Sequence, residues 1–189
     1  MQMTSDITID PHIHHGKAVI TGTRVPVSIV VGSIAGGMSQ EEVLSAYCLT
    51  KEQLEAVLIP AIRYATMADA ETLAELSATS FHQAFDGSSK QENVDGYVNA
   101  AFHPAQLAIE LNEPQSTFCL AELSEQTVGY FKLIADEVPD CISDRKAVEL
   151  SQLYVRQEFI AQKIGAALMQ KALEEARAKG YKTIFLGVC

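Results

Sequence analysis

VRQEFIAQKIGAALMQKALEEARAKGYKTIFLGVC, from Val155 to Cys189, decides how this chain is read. The end of a strand runs into a turn at QKIGAA, Gln162 to Ala167. A helix follows over Ile164 to Lys179, with Ile164, Leu168, Ala172 and Ala176 along one stripe and Gly180 closing it. TIFLGV, Thr183 to Val188, reads as a buried final strand. Upstream, AVELSQLYV, Ala147 to Val155, is the strand that enters the turn. Strand, helix and strand in this order predict a right-handed crossover with the two strands parallel.

The turn itself has a chemistry. The first turn of a helix leaves backbone N–H groups without partners, and the helix dipole makes that end positive. A phosphate or pyrophosphate fits there. Gly165, Ala166 and Ala167 carry little side chain, so an anion can reach the backbone, and Lys163 adds a positive charge. The same residues also suit a plain helix start with small side chains for close packing on a sheet, and spacing alone leaves both readings open.

Working back from this stretch, the chain divides near Pro60. AIRYA, Ala61 to Ala65, reads as a strand, and Asp69 to Phe81 as an amphipathic helix with Leu73, Leu76 and Phe81 on one side. DGSSK, Asp86 to Lys90, is a loop, and helical segments follow to about Leu111. TFCLAEL (Thr117 to Leu123) and TVGYFKLIA (Thr127 to Ala135) flank a short SEQ turn and predict an antiparallel hairpin. The second part therefore reads β-α-α-β-β-β-α-β, an α/β fold with a mixed sheet.

The first part is smaller and mostly helical. ITID (Ile7 to Asp10) and AVI (Ala18 to Ile20) are strand-like. Pro26 opens an apolar helix over Val27 to Ala35, closed by Gly36 and Gly37. Ser39 with Glu42, and Thr50 with Gln53, have capping-box spacing. Two capped helices so close together resemble a helix-turn-helix.

Composition narrows the classes. The chain has 189 residues, 48% of them hydrophobic, enough for one domain or two small ones. The formal charge of −10 gives no global basic footprint for nucleic acid. No apolar run is long enough to span a bilayer, and the start MQMTSDITIDP lacks the features of a signal peptide, so a cytoplasmic location is expected. Cys48, Cys119, Cys141 and Cys189 are scattered and read as reduced, mostly buried thiols rather than a zinc site. His12, His14 and His15 have no companion ligands and read as a solvated loop, so no metal is expected.

ELSQLYVRQEFIAQKIGAALMQKALEEARAKGYKTIFLGV resembles the acetyl-CoA-binding core of the GNAT N-acetyltransferase superfamily. Gln162-Lys163-Ile164-Gly165-Ala166-Ala167 matches that family's Q/R-x-x-G-x-G/A signature, and IRYATMADAETLAELSATSF resembles its first strand and helix. The resemblance covers about Ala61 to Cys189 and implies the acyl-CoA N-acyltransferase fold. It implies that the amides of Gln162, Lys163, Ile164, Gly165, Ala166 and Ala167 bind the CoA pyrophosphate, and that the backbone of Leu153 and Val155 pairs with the pantetheine arm in a splay between two strands. It also implies attack of an amine acceptor on the thioester of acetyl-CoA, with a carboxylate on the central strand as base. Glu149 is that carboxylate; its other reading is a charge on an exposed strand end. Family members continue beyond the last strand with a helix and two strands that carry an Asn contacting CoA and a Tyr acid. The sequence stops at Cys189, so acetyl-CoA binding with reduced turnover, and self-association through an open sheet edge, are expected.

ITIDPHIHHGKAVITGTRVPVSIVVGSIAGGMSQEEVLSAYCLTKEQLEAVL resembles domain-of-unknown-function family 433, a group of small antitoxin-like proteins. Gly16-Lys17, Gly22-Thr23-Arg24-Val25-Pro26-Val27 and Gly37-Met38-Ser39-Gln40-Glu41-Glu42-Val43 carry the match. The resemblance implies a helix-turn-helix-like domain that dimerises and binds DNA or a toxin partner. Within residues 1–59, Lys17, Arg24 and Lys51 oppose Asp6, Asp10, Glu41, Glu42, Glu52 and Glu55, so DNA binding is expected to be weak or absent and a protein partner is at least as well supported. The expectation is a gene fusion with an antitoxin-like domain over 1–59 and a truncated acetyltransferase domain over 60–189. The rival reading is a non-enzymatic regulator that works through the N-terminal domain; a third is a fused product without activity.

Overall fold

The computed structural model describes residues 7–85, 91–144 and 146–186. The DGSSK loop and the end of the expected last strand lie outside the described residues.

In the N-terminal part, β1 (Ile7–Ile9) and β2 (Ala18–Ile20) pair antiparallel. Three helices follow: α1 (Val27–Ala35), α2 (Gln40–Tyr47) and α3 (Lys51–Val57). Pro26 caps α1 from outside, with extended ψ, rather than opening its first turn. Val27, Val30, Val31 and Ile34 recur at helical spacing and are all buried, which is what holds α1 in place. Both capping boxes form, Ser39 with Glu42 and Thr50 with Gln53, so in each short helix the N-cap amide and the amide of the third helical residue are satisfied by the paired side chains. Cys48, in the left-handed region at φ 51°, turns the chain between α2 and α3.

The second part opens with β3 (Ala61–Tyr64) and α4 (Ala70–Phe85). A 3-10 turn at Met67–Asp69, capped by Thr66, precedes α4, so the helix starts one residue later and ends four residues later than its sequence pattern. Three helices stand where two were expected. α5 (Gln91–Ala101) and α6 (Pro104–Asn112) are separate because Pro104 takes the first helical position and His103 caps it. β4 (Ser116–Leu123), β5 (Gln126–Ile134), β6 (Ala147–Val155), α7 (Ile164–Ala178) and β7 (Thr183–Phe185) complete the order.

The five strands of the second part lie in the order β3-β4-β5-β6-β7. All neighbours are antiparallel except β6 and β7, which are parallel as the crossover rule requires. α4 and α6 cover one face: Leu73, Leu76 and Leu107 pack on Phe118, Leu120 and Tyr130. α7 covers the other with Ile164, Leu168, Ala172 and Ala176, and the apolar residues of α1 and α3 join that same cluster. The two parts of the chain thus share a continuous apolar core.

Polar groups inside the α4/α6 layer are matched. The Tyr130 hydroxyl lies 2.6 Å from Ser77 Oγ and donates to Gln152 Oε1 at 2.8 Å, and burial pushes its pKa far above the usual phenol value. Lys132 donates to Glu110 at 2.7 Å and sits 5.2 Å from the centre of the Phe118 ring.

Two expectations are corrected. The described part of the final strand, Thr183–Phe185, is half-buried rather than fully buried, with Leu186 exposed. Of the cysteines, Cys119 alone among the described ones is buried, its thiol pushed up to about 12 by desolvation, while Cys48 and Cys141 sit in exposed turns.

Gly129 in β5 decides how closely β5 and β6 can approach. A Cβ there would stand 2.6 Å from the Tyr154 carbonyl oxygen and 3.1 Å from Leu168 Cδ1. Gly129→Ala is expected to destabilise the protein by about 2 kcal/mol through overpacking. Urea unfolding measures this, and an unchanged midpoint would show that the sheet relaxes freely at that point.

Candidate functional site

The site begins with a defect in β6. Lys132 pairs with Gln152 but the next residue, Leu133, pairs with Leu150, so Ser151 is an extra residue that bulges β6. A bulge bends its strand and strengthens its twist. β7 pairs with β6 only from Ala147 to Glu149. Beyond Glu149, among the described residues, β6 has a strand partner on its β5 side alone. Among the described residues the two parallel strands run side by side as far as the Glu149–Phe185 pair, and Leu153 and Val155 lie on β6 beyond it.

The chain then folds over itself to start α7. Arg156 N–H donates to the Val128 carbonyl at 2.9 Å and Arg156 Nε to the Thr127 carbonyl at 2.9 Å, which tie the end of β6 to β5. Phe159 is fully buried and anchors the connection. Lys163 stands at the N-cap in the left-handed region, at φ 64°, and its side chain makes no cap bond. Ile164 is fully buried, so the helix start is fixed from below. The first amide of the turn with a recorded acceptor is Ala167, which donates to Lys163 O at 3.0 Å. The amides of Ile164, Gly165 and Ala166 have no acceptor among the described residues. A Cβ on Gly165 would meet Val155 Cγ2 at 3.8 Å, so the helix start stands directly against the end of β6.

Glu149 is half-buried and is the last residue of β6 paired with β7, opposite Phe185. Alternation along the strand puts its side chain on the face away from the buried Val148 and Leu150. The structure thus brings the end of β6, with Leu153 and Val155, to the 162–167 turn, and sets Glu149 at the last described β6–β7 pair.

Two cavities flank this arrangement. One, of about 420 Å³, lies between α4 and the end of β6, against Ser80, Gln83, Leu153, Tyr154 and Val155. The other, of about 620 Å³, lies between α3 and the start of α7. Lys163, read from sequence as a positive charge at the turn, donates to Glu55 of α3 at 3.1 Å.

Sequence reading missed several of these residues. Gln152 and Tyr130 form the polar contact next to the bulge; a glutamine within the apolar run of β6 was the available signal. Tyr154, its phenol raised by burial, has its ring 5.7 Å from that of Tyr130. The α3 residues carried no signal, because Glu55 and Lys163 are 108 positions apart. His14 and His15 occupy a tight turn with positive φ, and no cluster of metal-ligand type occurs among the described residues. No helix of the described residues is long and apolar enough to cross a membrane.

Comparison with known proteins bears on both parts. Residues 7–61 match the family model described as Protein of unknown function (DUF433), and residues 74–189 match the Acetyltransferase (GNAT) family. Uncharacterized N-acetyltransferases of Mycobacterium bovis and Mycobacterium tuberculosis are each 32% identical over 122 residues, covering 65% of this chain and 74% of theirs. The fold is that of the PaiA N-acetyltransferase from Thermoplasma acidophilum solved with coenzyme A, at a TM-score of 0.60, 23% identity and coverage of 68% of this chain and 79% of that one. An acetyltransferase from Vibrio fischeri has a TM-score of 0.52 at 20% identity, covering 67% of this chain and 94% of that one. With a small-residue helix start standing against the end of β6, and with a family model spanning more than half its length, the chain belongs to the Acetyltransferase (GNAT) family, whose co-substrate is acetyl-CoA.

Proposed function

We propose that this chain transfers the acetyl group of acetyl-CoA to an amine, with the opening between β6 and β7 as the reaction site. The observation that carries this is a helix start that stands against the end of β6 and whose amides at Ile164, Gly165 and Ala166 have no acceptor among the described residues. The residues fit the co-substrate. The unpartnered amides of Ile164, Gly165 and Ala166 can face a diphosphate, with no bulky side chain at Gly165, Ala166 or Ala167 in the way. Leu153 and Val155, which have no strand partner on the β7 side among the described residues, have the backbone groups that an amide-containing pantetheine arm needs.

Acetyl-CoA supplies an activated thioester. The acceptor nitrogen forms a bond to the acetyl carbon, the carbon–sulfur bond breaks, and its electron pair leaves with sulfur. An amine of lysine type has a pKa of about 10.4 and must first lose a proton. Glu149 accepts that proton, directly or through water. The acceptor enters through the 420 Å³ cavity, whose wall of Ser80, Gln83 and Tyr154 adjoins the same stretch of β6.

We place the boundary between an N-terminal unit and the acetyltransferase unit at Pro60, giving 1–59 and 60–189. The N-terminal unit carries a helix–turn–helix arrangement in α2 and α3, which supports an antitoxin-like origin by fusion. With α3 packed toward α7 and acidic at Glu52 and Glu55, it suits a protein contact better than DNA.

Titration calorimetry of the full chain with acetyl-CoA tests the reading, followed by thiol release with a panel of amines that includes an aminoglycoside, since a structural neighbour of the same fold was solved with sisomicin. Binding with amine-dependent release of CoA supports transfer. No heat with acetyl-CoA overturns it and leaves the regulatory reading of the N-terminal unit.

A further inference from the structure

We infer that the N-terminal unit is part of the acetyl-CoA site: α3 forms the far wall of the cavity that takes the nucleotide end of the molecule, with Lys51 facing its phosphates and Glu55 yielding Lys163 to them. This rests on the acetyl-CoA reading above.

Position comes first. The cavity is about 620 Å³, the size of a small-molecule site. It is walled on one side by Lys51, Glu52, Glu55 and Ile59, and on the other by Gln162 and Lys163. No residue of β6 or β7 lines it, so it lies on the side of the helix start away from the strand opening. A molecule with its thioester between the strands and its diphosphate at the start of α7 has one remaining part, the 3′-phosphorylated adenosine, and this cavity is where that part continues.

An orphaned acceptor points the same way. Gln162 Nε2 donates to the Glu158 carbonyl at 3.0 Å, but Gln162 Oε1 is buried and has no hydrogen-bond partner among the described residues. A buried acceptor without a donor is costly. A diphosphate offers no donor, whereas a ribose hydroxyl and an adenine amino group both do. Across the cavity, Ile59 is 59% exposed and offers an apolar surface for a purine ring.

Charge explains why α3 carries both signs. Lys51 and Lys163 are offset by Glu52 and Glu55, so the rim is neutral when empty. The Lys163–Glu55 pair is solvated, with side chains 79% and 50% exposed, and such pairs are weak. A phosphate replaces the Glu55 carboxylate on Lys163 at little cost. Lys51, four positions before Glu55, is the second cation on that wall.

The two residues therefore have opposite expected effects, which a merely structural role would not produce. Calorimetry of the full chain with CoA should show Lys51→Gln weakening binding about fivefold and Glu55→Gln tightening it about threefold. With 4′-phosphopantetheine, which lacks the nucleotide, the Lys51→Gln penalty should vanish. Both positions are exposed, so both variants should melt with the parent. Unchanged CoA affinity in both, or a shift of the same sign in both, overturns the inference while leaving the acetyl-CoA reading intact, provided Gly165→Asp still abolishes binding. A parent protein that does not bind CoA overturns both together.

Discussion

Gly165→Asp is expected to weaken acetyl-CoA binding about a hundredfold while the protein stays folded. The substitution has room: a Cβ at Gly165 meets nothing closer than Val155 Cγ2 at 3.8 Å, and the backbone there needs no glycine conformation. An acidic residue in the first turn of a helix is favourable for the helix itself. What it spoils is the ligand's place. The carboxylate competes with the diphosphate for the unpartnered amides of Ile164, Gly165 and Ala166, and repels it by like charge. Calorimetry with acetyl-CoA, alongside a thermal melt, separates the two effects. A folded variant that binds as the parent does would remove the anion site from the start of α7.

Glu149→Gln is expected to lower kcat about a hundredfold and to leave the KM for acetyl-CoA unchanged. The amide keeps the size of the carboxylate but cannot accept a proton. Glu149 is half-buried at the last β6–β7 pair, and the 162–167 turn lies past the other end of β6, so loss of its charge should not reach the diphosphate. Steady-state kinetics with saturating amine measures the change. Full turnover in the variant would reduce Glu149 to a charge at a strand end and send the search for a base to the polar group around Gln152. A loss shared equally by binding and turnover would point instead to local unfolding, which the same melt detects.

The sequence by itself determined most of the fold. Capping boxes at Ser39 and Thr50, the stripe Ile164–Leu168–Ala172–Ala176 and the hairpin around Ser124 and Glu125 are local patterns, and local patterns survive the move from chain to structure. The parallel pairing of β6 with β7 followed from chirality, which leaves few topologies for strand, helix and strand. The small residues of QKIGAA marked a helix start that an anion can approach, because the chemistry of a helix start is contained within one turn.

Other features were decided only when distant segments met. Ser151 looks like any strand residue; it is an extra residue only relative to the spacing of Lys132 and Leu133 on β5. The helices of the N-terminal part showed their caps but not their neighbours. Their buried faces join the cluster under α7, and α3 thereby stands across a cavity from Lys163. Apolar spacing tells a helix which face to bury and not what to bury it against, because hydrophobic burial is non-directional. That is why the sequence named the residues at the start of α7, and the tertiary structure alone set Glu55 beside them.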